Sequence, residues 1–564
     1  MSTFKLSLKF IVQITIVILF FSTLQAKNLN KFSQADQVSD YFSAILLLND
    51  NQYNQSFKFF KNLSDLEESH FNYSTKYLYS LVNSGNLNEA FQYSRKLEKK
   101  NLESFESHLI SGIFWLKKSN FKLAKKYFLK AKNKNSRFVL NNYVSNSLYN
   151  WSNLKNVDIN SATLELKKLD ERFKNLKKIQ NIFLNCYYDK SNTNGLFVEL
   201  TSDTKTDFSR YNYFQASYAA SSGDVESAKD ILQSSLKLYP RNLLLNQYKI
   251  DLNENKNIDA FNCKKEAHVI AEILYITANA LSSQSIYSLS NFYLNLAKFL
   301  NEDFHSFDTL LAENFVKTDN FENAKKIYNN LSKQGEALKW YSTKQLARIF
   351  IQTKKKDEAI KLTKSVYKNL ENKEFYETFD FAEFLKNNEK FEESITYYTN
   401  VLNNIAKDHP LYPAATDGRG VAYERIGNWD NAEKDFLSSL NANPNQAYVI
   451  NYLAYSWIEK GVKIEKSLGM LEKANKLKSN DPFIIDSLGW ALFKLERYKE
   501  SKEYLQMAVR LIPGDPIVND HYGDALWKNG NELQARYYWN YVLSLESAKE
   551  DLKKIIDTKL IKGL

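Results

Sequence analysis

His521 and two nearby carboxylates form a grouping whose residue types suggest chemistry. His521 directly follows Asp520 and precedes Asp524 by three residues. An imidazole beside carboxylates could act as a general base or bind a metal ion. The other histidines are scattered, without metal-ligand spacing: His70, His108, His268, His305 and His409. We therefore interpret His521 as a partly exposed helix residue and predict no metal site.

Sequence motifs of common enzyme classes do not occur in the chain. It contains no GxxxxGK[ST], HExxH, CxxC or GxSxG pattern. The stretch most like a glycine-rich loop, DGRGVAYERIG at 417–427, is explained better by helix packing at Gly420. The sequence thus predicts no catalytic residues, no cofactor and no enzyme. One alternative is a hydrolase or enzyme accessory function in residues 133–266, which a compact non-helical domain there would favour.

Cys186 and Cys263 are the only two cysteines. An exported protein could join them, but two cysteines do not make a disulfide framework. We favour two separate buried thiols, and a disulfide between them remains the alternative.

Helices must position all of these residues. Glycine and proline are scarce, 15 and 7 among 564 residues, which indicates long helices with short connections. The formal net charge is +11, but basic and acidic residues alternate, as in NFENAKKIYNNL at 320–331. This alternation indicates a solvated basic surface, and we predict no nucleic-acid partner. Peripheral association with an anionic membrane surface stays open.

The N-terminus has the pattern of a secretory signal peptide. Lys5 and Lys9 precede an apolar run at 10–24, and a cleavage site ends at Ala26. The run is short for a membrane span, which needs about 20 residues. We expect cleavage and export to the periplasm or cell envelope, with retention of 10–24 as a membrane anchor as the alternative. No cysteine lies near the cleavage site to carry a lipid.

Small residues recur at intervals of 34 or 35 in the C-terminal third of the chain. Two series are present: Gly420, Ala454, Gly489 and Gly523, and then Ala432, Ser467, Ser501 and Ala535. Comparable small residues occur upstream: Ala90, Ala124, Ala228 and Ala324. Two antiparallel helices approach closely only where small residues lie at their crossing. Each interval therefore predicts one helix pair that packs on the next.

This pattern resembles the tetratricopeptide repeat family, whose units have small residues at the eighth and twentieth positions, aromatic residues beside them and a closing proline. The aromatic residues are Phe436, Trp457, Trp527 and Trp539, and Pro444 and Pro513 close two units. The resemblance implies an all-α fold, a right-handed superhelical solenoid of stacked antiparallel helix pairs.

The resemblance also predicts how the chain is divided. The segments are a signal peptide at 1–26, N-terminal repeats at 27–132, degenerate helical repeats at 133–266 with one clear unit near 211–240, central repeats at 267–408, well-formed repeats at 409–545 and a capping helix at 546–564.

In this family the first helix of each pair lines a concave groove. Carried over by position, the residues implied for partner binding are Asp417, Glu424, Asn451, Tyr455, Asp486, Trp490, Asp520 and Asp524. Such acidic, amide and aromatic side chains could hold a peptide backbone or a Lys or Arg side chain. The alternative is structural, because an Asp in a first helical turn is favoured by the helix dipole and Trp490 could belong to the core.

The series NYLAYSW, DSLGWALF and NDHYGDALW is similar to a group of large bacterial envelope tetratricopeptide proteins. Some members of that group are lipoproteins that serve as adaptors for a processing protease. We predict a non-catalytic scaffold or adaptor in the cell envelope, which binds protein or peptide partners along its groove. The alternatives are a membrane-anchored envelope assembly factor and an accessory subunit of an envelope enzyme such as a processing protease.

Overall fold

The computed structural model describes residues 36–63, 66–70, 72–134, 139–203, 205–256 and 259–564. The predicted signal peptide at 1–26 lies outside these residues. The chain divides into two compact units, Met1–Val366 and Tyr367–Leu564. Among the described residues there are helices and turns but no β-strand.

The first unit is built from helices joined by short turns. In chain order they are α1 (36–49), α2 (Tyr53–Lys61), α3 (Leu66–Ser69), α4 (Tyr73–Asn83), α5 (Leu87–Lys99), α6 (Phe105–Lys117), α7 (Phe121–Lys134), α8 (Val139–Trp151), α9 (Ile159–Lys167), α10 (Lys174–Tyr187), α11 (Thr193–Thr201), α12 (Arg210–Ser221), α13 (Val225–Leu238), α14 (Leu243–Asn253), α15 (Glu266–Ser283), α16 (Tyr287–Leu300), α17 (Ser306–Lys317), α18 (Phe321–Leu331), α19 (Glu336–Gln352) and α20 (Lys356–Lys368), within which the division falls. Short 3-10 helices occupy Leu154–Asn156 and Glu171–Phe173.

The second unit contains five helix pairs and a final single helix. They are α21 (Phe375–Asn387), α22 (Phe391–Asn404), α23 (Tyr412–Arg425), α24 (Trp429–Ala442), α25 (Ala447–Glu459), α26 (Ile464–Leu477), α27 (Pro482–Lys494), α28 (Tyr498–Leu511), α29 (Pro516–Lys528), α30 (Glu532–Ser544) and α31 (Glu550–Lys562). Consecutive helices pack against each other along this series. The predicted all-α fold of stacked helix pairs is confirmed.

Small residues permit the close helix crossings. A Cβ atom on Gly489 would lie 2.6 Å from Cγ of Leu505, so α27 and α28 could not pack as closely with a larger residue there. On Gly523 a Cβ would lie 2.5 Å from Nε1 of Trp539. The other small residues named from the sequence are also buried: Ala90, Ala124, Ala228, Ala324, Gly420, Ala432, Ala454, Ser467, Ser501 and Ala535.

The first unit contains contacts that a simple linear array would not have, because array repeats contact only their neighbours. Helices α4 and α6 both pack against α16, and α8 packs against α15. A buried hydrogen bond also joins α16 to α2, from Nδ2 of Asn291 to Oη of Tyr53 at 3.1 Å. Early and central helices of this unit therefore share a core.

Between 139 and 256 the described residues form α-helices and two short 3-10 helices, joined by turns and short loops. These described residues include no compact non-helical domain, the feature that would have favoured a hydrolase there.

The expectation of two separate thiols is wrong. Cys186, at the end of α10, forms a disulfide with Cys263, in the segment before α15, and their Cα atoms lie 6.1 Å apart. The two cysteines are 77 residues apart, so sequence could not show that the fold brings them together.

Candidate functional site

In the second unit, several first helices of successive pairs pack against each other. Helix α25 packs against α27, and α27 packs against α29. We call the eight groove residues predicted from the sequence the first-helix face: Asp417 and Glu424 on α23, Asn451 and Tyr455 on α25, Asp486 and Trp490 on α27, and Asp520 and Asp524 on α29. The four on α27 and α29 are all buried.

His521 lies at the centre of the buried end of this face. Its Nδ1 atom is 3.0 Å from both carboxylate oxygens of Asp486. Its ring stacks on Trp490, with centroids 4.0 Å apart and an angle of 10°. Burial alone would lower the pKa of His521, but the charge of Asp486 and its hydrogen bond raise the pKa above the ordinary value.

The interpretation of His521 as a partly exposed helix residue is therefore wrong, since only 6% of it is exposed. The physical reason is that the neighbouring first helix supplies both a carboxylate and an aromatic surface. Trp490 is itself held by a hydrogen bond from Nε1 to Oε1 of Glu459 at 2.7 Å. Within the described residues, no group of three or more His, Cys, Asp and Glu side chains could hold a metal ion.

The two aspartates on α29 share one lysine of the last helix as an ion-pair partner. Nζ of Lys559, on α31, lies 2.6 Å from Oδ1 of Asp520 and 2.7 Å from Oδ1 of Asp524. Trp539 donates a further hydrogen bond from Nε1 to Asp524 at 3.0 Å. Burial and the charge of Asp520 raise the pKa of Asp524 to about 6, against the opposing effect of Lys559. The sequence predicted a helix at 546–564 but did not predict that Lys559 would pair with these aspartates.

The upstream part of the face is less completely partnered. Asp417 is half-buried and forms no ion pair with any residue that the structure describes. Burial raises the pKa of Asp417 to about 6; Lys386 lowers it, but that lysine is paired with Glu383 at 2.8 Å. Oδ1 of Asn451 is buried and accepts no hydrogen bond. The carboxylate of Asp417 and Oδ1 of Asn451 can therefore each accept a further hydrogen bond.

The remaining two members are Glu424, on α23, and Tyr455, on α25. Oε2 of Glu424 accepts a hydrogen bond from the Tyr452 hydroxyl at 2.9 Å. Burial, followed by the charges of Glu459 and Asp486, raises the pKa of Tyr455. The face thus combines carboxylates, an amide and aromatic rings, a set that can bind ammonium, guanidinium or amide N–H donors.

Helix pairs with small residues at each crossing define a helical-repeat protein. The model of the tetratricopeptide repeat family matches residues 257–548, more than half of the chain. The chain belongs to the tetratricopeptide repeat family, as the sequence pattern predicted. Proteins of this family typically serve as non-catalytic scaffolds for protein–protein interactions.

Among individual proteins, the chain is similar to the TPR repeat-containing protein PA4667 of Pseudomonas aeruginosa. The two are 27% identical over 92 residues, which is 16% of this chain and 16% of that protein. Among solved structures, a tetratricopeptide repeat protein from Parabacteroides merdae is 15% identical, with a TM-score of 0.33 over 39% of this chain and 85% of that one. MamA from Desulfovibrio magneticus RS-1 is 19% identical, with a TM-score of 0.28 over 31% of this chain and 97% of that one.

Proposed function

We propose that this protein is a non-catalytic adaptor of the bacterial cell envelope, which binds a basic segment of a partner protein on its first-helix face. The single observation that carries the proposal is the position of Lys559. This lysine projects from one helix onto the acidic side chains of another, Asp520 and Asp524. The contact within the chain illustrates how a partner's lysine or arginine would be held by Asp417.

Unused acceptors on α23 and α25 support binding at this part of the first-helix face. A buried carbonyl oxygen without a hydrogen bond is unfavourable by about 1–3 kcal/mol, so Asn451 would gain from an N–H group of a bound segment. An ammonium or guanidinium group beside Asp417 would form a charge-assisted hydrogen bond, which is stronger than a neutral one. Because the helices are already packed, little ordering of the scaffold would oppose binding.

Affinity capture tests this proposal. The full chain is used as bait in an envelope extract, and captured proteins are quantified by mass spectrometry. We expect a partner that is lost when Asp417→Asn is combined with Asn451→Ala. The matched control combines Asp430→Asn with Asn540→Ala, two exposed positions on second helices of the same unit. Equal capture by both double variants would contradict the proposed binding face.

The proposed envelope location draws support from two independent features. One is the signal-like N-terminus with its apolar run at 10–24. The other is the disulfide between Cys186 and Cys263, since disulfides persist mainly in oxidising compartments outside the cytosol. Among the helices that the structure describes, none combines the length and apolar character needed to cross a membrane.

Two measurements on protein from its native envelope test the location. Mass spectrometry of the mature N-terminus should find a chain that starts at Lys27. A chain that retains 10–24 would instead favour a membrane-anchored assembly factor.

Labelling with a maleimide-linked polymer should add mass to the denatured protein only after reduction. Labelling before reduction would contradict an oxidising location.

A further inference from the structure

A cavity of about 210 Å³ lies entirely within the first unit and takes no part in the proposed adaptor function. Helices α12, α14, α17 and α19 and the segments before α15 and α17 contribute its walls. The buried aromatic rings of Tyr213, Tyr248 and Phe304 line the cavity. The exposed side chains Asp303 and Gln334 also line the cavity and stand at its solvent side.

The aromatic rings form one packed group. Tyr213 and Tyr248 meet edge to face with centroids 4.8 Å apart, and Tyr213 stacks on Phe304 at 5.4 Å. Rings arranged in this way provide an apolar surface whose electron-rich faces attract cations. The cavity is smaller than sites for drug-sized molecules, which occupy about 300–1,000 Å³, so its occupant would be a small molecule or one side chain.

Asp251 supplies a carboxylate that is held in place but not neutralised. Gln247 donates a hydrogen bond from Nε2 to Oδ1 of Asp251 at 2.8 Å, and it accepts one from the backbone N–H of Leu338 at 3.2 Å. A Cβ atom on Gly335 would overlap the same carboxamide, so this glycine permits the arrangement. Asp251 forms no ion pair with any residue in the described part of the chain.

The charges around the cavity favour a cation. Asp251 and Asp303 line the cavity, and no lysine or arginine is among the described residues that line it. His305 also lines it, with Nδ1 3.8 Å from Oδ2 of Asp308. The guanidinium of Arg210 lies 5.3 Å from the centroid of the Phe304 ring and is paired with Glu272 through two hydrogen bonds, each 2.8 Å long.

We propose that this cavity binds an organic ammonium ion with a short apolar body, with the ammonium group on Asp251 and the body against Tyr213, Tyr248 and Phe304. The ammonium would form a charge-assisted hydrogen bond with the free oxygen of the carboxylate. The rings would add dispersion and cation–π attraction. The same chemistry is offered by a free amine and by a lysine side chain of a peptide.

Titration calorimetry on the full chain tests the proposal with three probes of one shape: phenethylamine, phenethyl alcohol and 3-phenylpropionate. We expect saturable binding of the amine, at least about tenfold tighter than binding of the neutral alcohol, because a charge-assisted hydrogen bond contributes roughly 1.5–3 kcal/mol. The anion should not bind. Equal affinity for amine and alcohol, or no saturable binding of the amine, would overturn the proposal.

A variant locates the site. Asp251→Asn keeps the side-chain shape and should remove the preference for the amine, whereas Asp230→Asn, an exposed position on α13, should preserve it. A preference that survives in a folded Asp251→Asn protein places the binding elsewhere and contradicts the assignment. If that variant does not fold, the probe series on the unsubstituted chain still decides whether an ammonium ion binds.

Nα-acetyl-lysine N-methylamide distinguishes the two sources of the ammonium group. Tighter binding of this compound than of phenethylamine indicates a peptide lysine, and weaker binding indicates a free amine.

Discussion

Gly489 illustrates how a single residue sets the distance between two helices. A Cβ atom at this position would lie 2.6 Å from Cγ of Leu505 and 3.2 Å from its backbone nitrogen, so the neighbour could not simply rotate away. Gly489 lies 35 residues after Ala454 and 34 residues before Gly523, and this regular spacing of small residues predicted a close helix crossing here. The identity of the residue opposite, Leu505 and not Ser501, required the structure.

Gly489→Leu should lower the free energy of unfolding by about 1–3 kcal/mol, because overpacking forces helices apart. Gly469→Leu is the matched control: a Cβ at Gly469, also inside a helix of this unit, would meet nothing within 4 Å. That control should be neutral or slightly stabilising, since leucine favours helix more than glycine does. Urea denaturation followed by tryptophan fluorescence measures both. Equal stability of the two variants would contradict the close crossing at Gly489.

His521 should make the second unit less stable as the pH rises. Folding raises the pKa of His521 above its ordinary value of 6.5. The folded protein therefore keeps the proton to higher pH than the unfolded chain does. The stabilisation is complete below pH 6.5 and is lost as the pH rises through the folded pKa.

Urea midpoints measured from pH 6 to pH 9 test this expectation. The midpoint of the unsubstituted protein should fall over this interval. The neutral pair His521→Gln with Asp486→Asn should remove that part of the slope, whereas exposed His70→Gln should retain it. A slope that persists in the neutral pair would show that another group, such as Asp524, controls the response.

The histidine also shows where residue-scale inference stops. Sequence neighbours of His521 are Asp520 and Asp524, and both suggested chemistry, but its actual partner is Asp486 in the preceding repeat. The 35-residue separation of Asp486 and His521, close to one repeat, was a signal that could have revealed this pair. Stacking on Trp490 depends on how adjacent first helices pack, which one sequence does not specify.

At the scale of elements, α31 closes the second unit by covering both hydrophobic and charged groups. Ile556, on α31, is fully buried, and only 12% of the Lys559 side chain is exposed. A charged amphipathic segment was enough to predict a terminal helix at 546–564. The pairing of Lys559 with Asp520 and Asp524 could not be predicted, because helical periodicity specifies which residues share a face but not their contacts on another helix.

Lys559→Met should destabilise the second unit by about 3–5 kcal/mol, because it leaves two buried carboxylates without their cation. Lys553→Met is the control: this lysine pairs with Glu550, whose side chain is 79% exposed, and such pairs contribute about 0–1 kcal/mol. Adding Asp520→Asn and Asp524→Asn to Lys559→Met should recover part of the loss. Urea denaturation measures the series. An equal effect of the two single substitutions would contradict a structural role for the buried ion pairs.

At the scale of the whole molecule, the two units differ in how well the sequence specified them. In the second unit the 34- to 35-residue interval repeats without interruption from Gly420 to Gly523, and the pairs follow it. In the first unit the intervals lapse between 133 and 266, and the structure adds contacts between distant helices, such as α4 with α16. Such contacts, and the disulfide between Cys186 and Cys263, depend on the three-dimensional path of the chain.

Site-specific photocrosslinking in cells tests the central claim, that partners bind the first-helix face of the second unit. p-Benzoylphenylalanine replaces Val421, on α23 between Asp417 and Glu424, or Tyr537, a 68% exposed residue on the second helix α30. We predict a discrete crosslinked partner from position 421, lost when Asp417→Asn and Asn451→Ala are added, and no such product from position 537. The same product from both positions, or a product from position 537 alone, would contradict the account.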